Sequence, residues 1–586
     1  MEHNRNQECF VSTFSRLRES SKDAVVSADF SDEYTMYMHV DRPVQEAFVA
    51  ELEKAAKSDG ASLILLCGSV GDGKSHMLSY CREKYPEMMG KFYVHNDSTA
   101  SLYVDKPASY TLKEVLGDFS DARIEQSDKK VILAINLGTL NNFLEEDREN
   151  RFSELKKYVE QSGILEEEVS GAQEYAHFYS VNFADYHLYE LTADGPKSSY
   201  ISGLLNKITQ KDRENIFYRS YCECCKTCDT FEKCPVRINY DLLSDPAVQA
   251  GVIDALIESI VKNKLLVSTR ALLNFIYDIV VDERVFKRGS LEPRKEALKI
   301  TGVAYCRALL PNMLFGRRES SEILNSMKMI DPLRIRNEKI DNFFVFYENM
   351  DDVLSVFREY LEPYAECVGK FKGIKFSEFS TRSLREELLH LFIRLCRLTG
   401  RRKDLLQEDE DYTEYMKALY CWNTGDAKGL KQVYGMTERA LLLWNGTAGK
   451  GEMQLPIGNT KSLCRLLQKI EIRQIIDNLP QHAPGILYSF RDELRLKYKD
   501  KNMKRYGGVL DLDFALYTLL KNVLNGYVPS VNDKRVNVKC TEFVKNIARG
   551  GSGAEEVMIM DLSGGEVKEY QLKYDEDYGN YSFEEL

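Results

Sequence analysis

Residues 64–81 read ILLCGSVGDGKSHMLSYC. The wider run Ser62 to Cys67, SLILLC, is short, apolar and β-compatible, the pattern of a strand buried on both faces. The next eight residues, Gly68-Ser69-Val70-Gly71-Asp72-Gly73-Lys74-Ser75, match G-x-x-x-x-G-K-[ST]. His76 to Tyr85 continues as a helix that Pro86 stops. Glycines let such a loop curl until its N–H groups converge on phosphate oxygens, and the helix N-terminus adds its positive end. Lys74 is then expected at the β- and γ-phosphates of ATP, and the Ser75 hydroxyl on Mg²⁺. The expected nucleotide-binding set is Gly68, Ser69, Val70, Gly71, Asp72, Gly73, Lys74, Ser75 and His76. The bland alternative is a Gly-rich turn with no ligand; correct flanks on both sides count against it.

Strand and helix alternate beyond the loop. Strands are expected at Lys91–Asp97, Lys130–Asn136 and Ala176–Asn182, with helical stretches at Thr111–Glu125, Asn141–Gln161 and Ser198–Thr209. That order implies a parallel sheet with helices on both faces. Ligands of such sheets lie at the carboxyl ends of strands, so Asp97, Asn136 and Asn182 are candidates to face the loop. The strand VILAIN ends in Asn136, where an acid would bind hydrated Mg²⁺ better; an amide is no general base. Asp97, Glu145 or Glu146 are the available substitutes, and ordinary strand-end turns are the alternative for all of them.

In Leu265–Asp278, LLVSTRALLNFIYD, Ser268 or Thr269 caps a helix that buries Leu272, Phe275 and Ile276. Arg270 falls in the first turn, where the helix dipole disfavours a cation. An anion at that end would explain it. The segment resembles the second sensor of AAA+ ATPases, in which an arginine on a lid helix touches the γ-phosphate; a surface arginine is the alternative reading. The expected catalytic set is Lys74, Ser75, Asn136, Asn182 and Arg270.

The chain has 586 residues, 14 cysteines and a net charge of −12. That charge excludes a general polyanion binder, so contact with DNA must use local basic patches or a partner. Nine cysteines are scattered singly and read as small core residues of a reducing compartment. The other five lie in Tyr221–Pro235, YCECCKTCDTFEKCP. Four thiolates suffice for Zn²⁺: Cys225, Cys228 and Cys234, with Cys222 or Cys224 as the fourth. An Fe–S cluster is the competing occupant, because C-x-x-C-x-x-C followed by C-P is ferredoxin-like.

From about residue 300 the pattern is mostly helical, with helical spacing at Val353–Cys367, Ser383–Leu398, Tyr412–Trp422 and Leu510–Leu524. Arg491–Tyr506 is a basic stretch with interleaved tyrosines, and Arg401–Lys403 a smaller one; both are candidates for DNA contact or plain solvated surface. The end of the chain reads as a hairpin across Ser563–Gly565 and an acidic, flexible tail. The segments expected are a helical lead-in (1–60), a nucleotide core (61–210), a cysteine-rich metal-binding insert (211–245), a helical lid (246–350), a helical C-terminal domain (351–535) and a helix with hairpin and tail (536–586).

The chain resembles the DptF family, the P-loop component of bacterial DNA phosphorothioation-dependent restriction systems. The resemblance lies in SSKDAV, YMHVDRPVQEAF, LILLCGSVGDGKSHMLSY, FYVHNDSTAS, ILAINLGTLNNFLE, VNFADYHLYEL, CPVRINYDLL, STRALLNFI and LPNMLF. It implies an AAA+-like α/β P-loop NTPase core with a helical lid, acting with companion restriction proteins on DNA that lacks the sulfur modification. DNA is then met directly or through those companions. No nuclease constellation is present, and an ATPase is expected, with a non-hydrolysing scaffold and a DNA-stimulated motor as alternatives. No apolar run long enough to span a membrane and no secretory leader occur, so a cytoplasmic protein is expected, with an oligomer left open.

Overall fold

The computed structural model describes residues 9–18, 33–96, 108–164, 175–286, 296–297, 299–300, 302–316, 321–371, 382–446, 449, 451–456, 463–477, 479–500, 508–550, 556–563, 567–575 and 578–586. The chain divides into two compact units, one of residues 1–190 and 197–407, the other of 191–196 and 408–586. The division at 407/408 falls inside the segment expected to be one helical domain, 351–535.

In the first unit, β1 (Ser62–Cys67), β2 (Tyr93–His95), β3 (Lys130–Ile135) and β4 (Phe178–Asn182) form a parallel sheet in the order β2-β3-β1-β4, and the next two strands in the chain, β5 (Glu190–Thr192) and β6 (Gly195–Lys197), pair with each other. All six residues of β1 are buried, as a central strand of a doubly covered sheet requires. Its side chains alternate between two cores. Leu63, Leu65 and Cys67 join Val131, Leu133 and Ile135 against Phe119, Phe143, Leu155 and Tyr158. Ile64 and Leu66 join Ile132 and Ala134 against Phe48, Leu52, Met77, Leu78 and Cys81. Helices therefore cover both faces, as expected. The register pairs Cys67 with Ile135 on one side and Asn182 on the other, so three strands end level at one edge.

The expected helix Asn141–Gln161 is two helices, Leu137–Glu145 and Ser153–Gln161. The intervening residues turn, with Asn150 at φ 49° and the Asp147 carboxylate accepting the Phe152 N–H. Thr111–Glu125 likewise shortens to Ala108–Val115 followed by single turns.

Among the described residues, the rest of this unit is mostly helical to about residue 400. The Pro246–Asn263 and Arg382–Thr399 helices cross where Gly251 meets Leu398; a Cβ on Gly251 would lie 2.1 Å from the Leu398 carbonyl oxygen. The buried Arg394 guanidinium donates to Asp331 at 2.6 Å and to Asn312 at 2.9 Å. Buried Asn239 donates to the Val280 and Ala308 carbonyls and accepts the Leu310 N–H. Each buried polar group thus ties two or more helices together.

The second unit corrects the helical expectation for the C-terminal half. Alongside the Glu410–Thr424, Lys431–Leu442 and Phe514–Leu524 helices it holds two antiparallel sheets. One is β9 (Ile472–Ile475), β10 (Leu494–Asp500) and β11 (Gly508–Leu512) in the order β11-β10-β9. The other is β7 (Glu452–Gln454), β8 (Cys464–Lys469), β12 (Glu556–Asp561), β13 (Lys568–Asp575) and β14 (Asn580–Glu585) in the order β14-β13-β12-β8-β7. The expected hairpin is β12–β13, although Gly564 and Gly565 lie outside the described residues. The tail expected to be flexible instead pairs along β13, with Tyr570 over Phe583 at 5.1 Å and Tyr574 near Tyr581 at 5.0 Å. Cross-strand aromatic pairs stabilise such an edge.

The central strand sets the stability of the first unit. Leu65→Ala should cost about 2–5 kcal/mol, and Tyr93→Ala, at a position 54% exposed on the same sheet, within about 0.5 kcal/mol, read from urea melts by circular dichroism.

Candidate functional site

The loop from β1 to the Lys74–Lys84 helix is curled by two left-handed glycines, Gly71 at φ 90° and Gly73 at φ 97°. Only glycine holds such angles without strain. Gly68 is needed for closeness: a Cβ there would lie 3.0 Å from Phe183 and from the Asp72 carboxylate. Within the loop the Ser69 N–H donates to Asp72 at 2.5 Å, and Lys74 Nζ donates to the Gly68 and Ser69 carbonyls, each at 2.7 Å. Burial pushes the Asp72 carboxyl pKa up, against the Ser69 N–H, Lys74 and Arg42, which pull it down. A carboxylate thus occupies an N–H of the kind that cradles phosphate. Val70 projects at the loop tip, 68% exposed.

A helix end docks on this loop from a distant part of the chain. Ser268 caps the Thr269–Val280 helix by accepting the Ala271 N–H at 3.2 Å, and Leu272, Phe275 and Ile276 are buried, as expected. Its first turn meets the loop: the Arg270 N–H donates to the Gly71 carbonyl at 3.3 Å, and Thr269 Oγ1 to the Asp72 carbonyl at 3.2 Å. The Arg270 Nε is buried and makes no hydrogen bond among the described residues. A buried donor left unmade costs about 1–3 kcal/mol. Arg270 therefore sits against the loop with an unused donor.

Ser75 meets β2. Asn96, at the end of that strand, donates from Nδ2 to Ser75 Oγ at 3.0 Å. The adjoining Asp97 lies outside the described residues. Asn96 carried no role in the sequence reading; its place at the end of a strand candidate was the available signal. Arg42 was also missed. Its Nη1 donates to the Asp72 carbonyl at 3.1 Å, and its guanidinium lies over Tyr200 at 4.7 Å and Phe183 at 5.4 Å.

Asn136 and Asn182 stand at the same sheet edge but are engaged in turns. Asn136 accepts the Thr139 N–H at 2.7 Å, capping the next helix. Asn182 accepts the Ala184 N–H and donates to Asp185, both at 3.2 Å. Glu145 accepts from Asn141, and Glu145 and Glu146 are exposed. The site thus gathers Lys74, Ser75, Asn96, Arg42 and Arg270, with the two expected asparagines serving as caps beside it.

His76 stacks on His39, the two rings 3.1 Å apart at their nearest nitrogens, and His39 stacks in turn on Tyr80. Burial and the neighbouring His39 push the His76 pKa down to about 4. Burial also lowers His39, against the raising effects of Asp41 and Gln45.

The cysteine segment lies on short helical turns, Ile216–Ser220 and Tyr221–Cys225, before the Pro235–Leu243 helix. Cys224, Cys225, Cys228 and Cys234 line one cavity, and Cys9 from the N-terminal segment lines it with them. Cys222 instead interacts with Tyr218. The expected zinc ligand set is not assembled: among the described residues no three His, Cys, Asp or Glu side chains are arranged to hold a single metal ion.

Among the described residues, part of each basic stretch is engaged within the fold. Leu494, Leu496 and Tyr498 alternate into the core of the second unit, while Arg491 and Arg495 pair with Asp511 at 3.3 and 3.5 Å. Tyr498 is therefore a core residue and not a stacking platform, and residues 501–507 lie outside those described. Arg402 pairs with Asp404 and lies over Tyr360 at 4.4 Å. Among the described residues no helix is long and apolar enough to cross a membrane. No protein-family model, curated protein or solved structure matches the chain.

Between pH 6.5 and about 4 the unfolded chain binds a proton that folded His76 does not. Stability is full above pH 6.5 and declines as pH falls toward 4. The urea midpoint should drop across that window, and His76→Asn should flatten the drop while leaving the neutral-pH unfolding free energy within about 1 kcal/mol.

Proposed function

We propose that the protein binds ATP with Mg²⁺ on the 68–76 loop, hydrolyses it, and uses the difference between the two states to move the Thr269–Val280 helix. The observation that carries this reading is the buried, unpartnered Arg270 Nε held against a glycine loop of the G-x-x-x-x-G-K-S pattern. A cation in the first turn of a helix is disfavoured by the dipole, and a buried donor without an acceptor is costly. A phosphate oxygen relieves both. Lys74 turns from the Gly68 and Ser69 carbonyls to the phosphates, the Asp72 carboxylate yields the Ser69 N–H, and Ser75 exchanges the Asn96 amide for the metal. Mg²⁺, when bound, offsets charge between the terminal phosphates. Because Arg270 and Thr269 touch the loop directly, a change at the γ-phosphate reaches the helix without intermediaries.

The resemblance to the DptF family supports placing this switch in a bacterial complex that restricts DNA lacking the phosphorothioate modification, with companion proteins supplying the cut. A second reading, a nucleotide-locked scaffold with little turnover, is favoured by one observation: the described side chain beside Ser75 is the amide of Asn96, which cannot act as a base.

Retention of labelled ATP in magnesium buffer and phosphate release decide between them. Lys74→Ala should weaken ATP binding by about 10- to 150-fold, the loss of a charge-assisted contact worth about 1.5–3 kcal/mol. Arg270→Ala should slow phosphate release by roughly 10²-fold with a smaller loss of binding. Binding without any release by the wild type, with DNA and companions present, selects the scaffold; no binding at all removes both readings.

A further inference from the structure

The β11-β10-β9 sheet of the second unit has one face in the core and one outward face. Leu494, Leu496 and Tyr498 of β10 point inward with Leu510 and Leu512 of β11. The alternate residues of β10, Arg495, Lys497 and Lys499, share the outward face with Arg473 and Ile475 of β9 and with Val509 and Asp511 of β11. Cations therefore outnumber the one carboxylate there. That carboxylate is already surrounded: Asp511 receives Arg491 at 3.3 Å, Arg495 at 3.5 Å and Lys539 at 4.0 Å. Arg473, Lys497 and Lys499 make no ion pair among the described residues. The register sets Arg473 directly opposite Lys499, and both are exposed. Like charges facing each other across a ladder repel and weaken it. A polyanion laid on the face removes that repulsion. We propose that this face binds the phosphate backbone of double-stranded DNA.

Backbone positions two apart on one strand stand about 7 Å from each other, and directly opposed positions about 5 Å. The cations thus form a field spread along and across the strands, which one small anion would neutralise only in part. Duplex DNA carries one charge per about 1.7 Å of its axis and sheds counterions as such a field approaches. The uncharged outward residues, Ile475 and Val509, are aliphatic. The outward positions of the three strands hold no aromatic ring to stack on an unpaired base, and no hydroxyl or amide to read a base edge or a ribose 2′-hydroxyl. Contact is therefore with the backbone of a duplex and is indifferent to sequence. The net charge of −12 disfavours DNA over the chain as a whole, so contact concentrates where cations are left uncompensated. Arg473 lies outside the basic run Arg491–Tyr506 and joins it only through the pairing of β9 with β10. The face belongs wholly to the second unit, so the assignment does not depend on the nucleotide reading.

The test is fluorescence anisotropy on the full chain without ATP, with labelled mixed-sequence DNA of about 30 base pairs and its single strand, between about 50 and 200 mM salt. Wild type should bind the duplex with a Kd of about 10⁻⁶–10⁻⁴ M near physiological salt, whatever its sequence, and log K should fall linearly with log salt. Arg473→Ala, Lys497→Ala and Lys499→Ala combined should weaken binding by about tenfold or more and lower that slope by about 2–3, at about 0.9 per lost phosphate contact. Lys113→Ala, Lys156→Ala and Lys157→Ala combined change the net charge equally, at exposed positions on helices of the first unit, and should leave both quantities unchanged. The substituted face has lost its repulsion, so its urea midpoint by circular dichroism should stay at or above that of wild type, which keeps unfolding from passing for lost binding. Absence of duplex binding by wild type at the lowest salt overturns the proposal. Equal losses in the two triple variants overturn it as well, and so does tighter binding of the single strand than of the duplex. ATP retention by the face variant should match wild type, which separates failure here from failure of the nucleotide reading.

Discussion

The exit of one buried strand into one glycine-rich bend governs the first unit. β1 is buried on both faces, so its end cannot wander. The chain must leave the sheet at Gly68, where Phe183 leaves no room for a side chain, and turn through two left-handed glycines before the Lys74–Lys84 helix begins. Everything polar at the site is referred to that bend. Arg42 and Thr269 converge on the Asp72 carbonyl, and the Arg270 N–H on that of Gly71. Elements more than 190 residues apart in sequence are thereby anchored to the same six-residue turn.

The loop is folded in on itself, and that has an energetic consequence. Lys74 is satisfied by its own loop carbonyls and the Ser69 N–H by Asp72. On the proposed reading, a triphosphate would compete with these internal bonds and gain only the difference. The Arg270 Nε is in another position, because it has no hydrogen bond to give up. On that reading the largest uncompensated gain would fall on Arg270 rather than on the loop. The proposed switch would then couple binding to the position of the Thr269–Val280 helix more strongly than to the loop itself.

The parallel sheet was legible because its signals are local and strong: four strand candidates separated by helices of ordinary length, and a loop pattern with few other uses. The capped helix at Ser268 was legible for the same reason. The roles of the strand ends were not, since Asn136 and Asn182 are equally suited to cap a turn or face a ligand, and register decides which. Asn96 reaches Ser75 only because β2 sits beyond β3 in the sheet, an order that no local pattern encodes. In the second unit β7 and β9 have three and four residues, too few for alternation to show. The longer β10 does alternate, at Leu494, Leu496 and Tyr498, but its many lysines and arginines read as surface. The acidic tail became a strand because pairing along β13 satisfies its backbone, which composition does not report.

The same distinction bears on the cysteines. Spacing groups Cys222 to Cys234 and is blind to Cys9, which arrives through an aromatic cluster. Phe10 packs on Tyr240 at 4.9 Å and Tyr221 at 5.9 Å, and Phe14 on Phe217 at 5.6 Å. The helices that carry Phe10, Phe14 and Phe217, namely Phe10–Phe14 and Ile216–Ser220, have five residues each and are far below the length at which a helix persists alone. Ring packing brings Cys9 to the cavity, but contacts of about 0.5–1.5 kcal/mol each are a modest tether for two single turns.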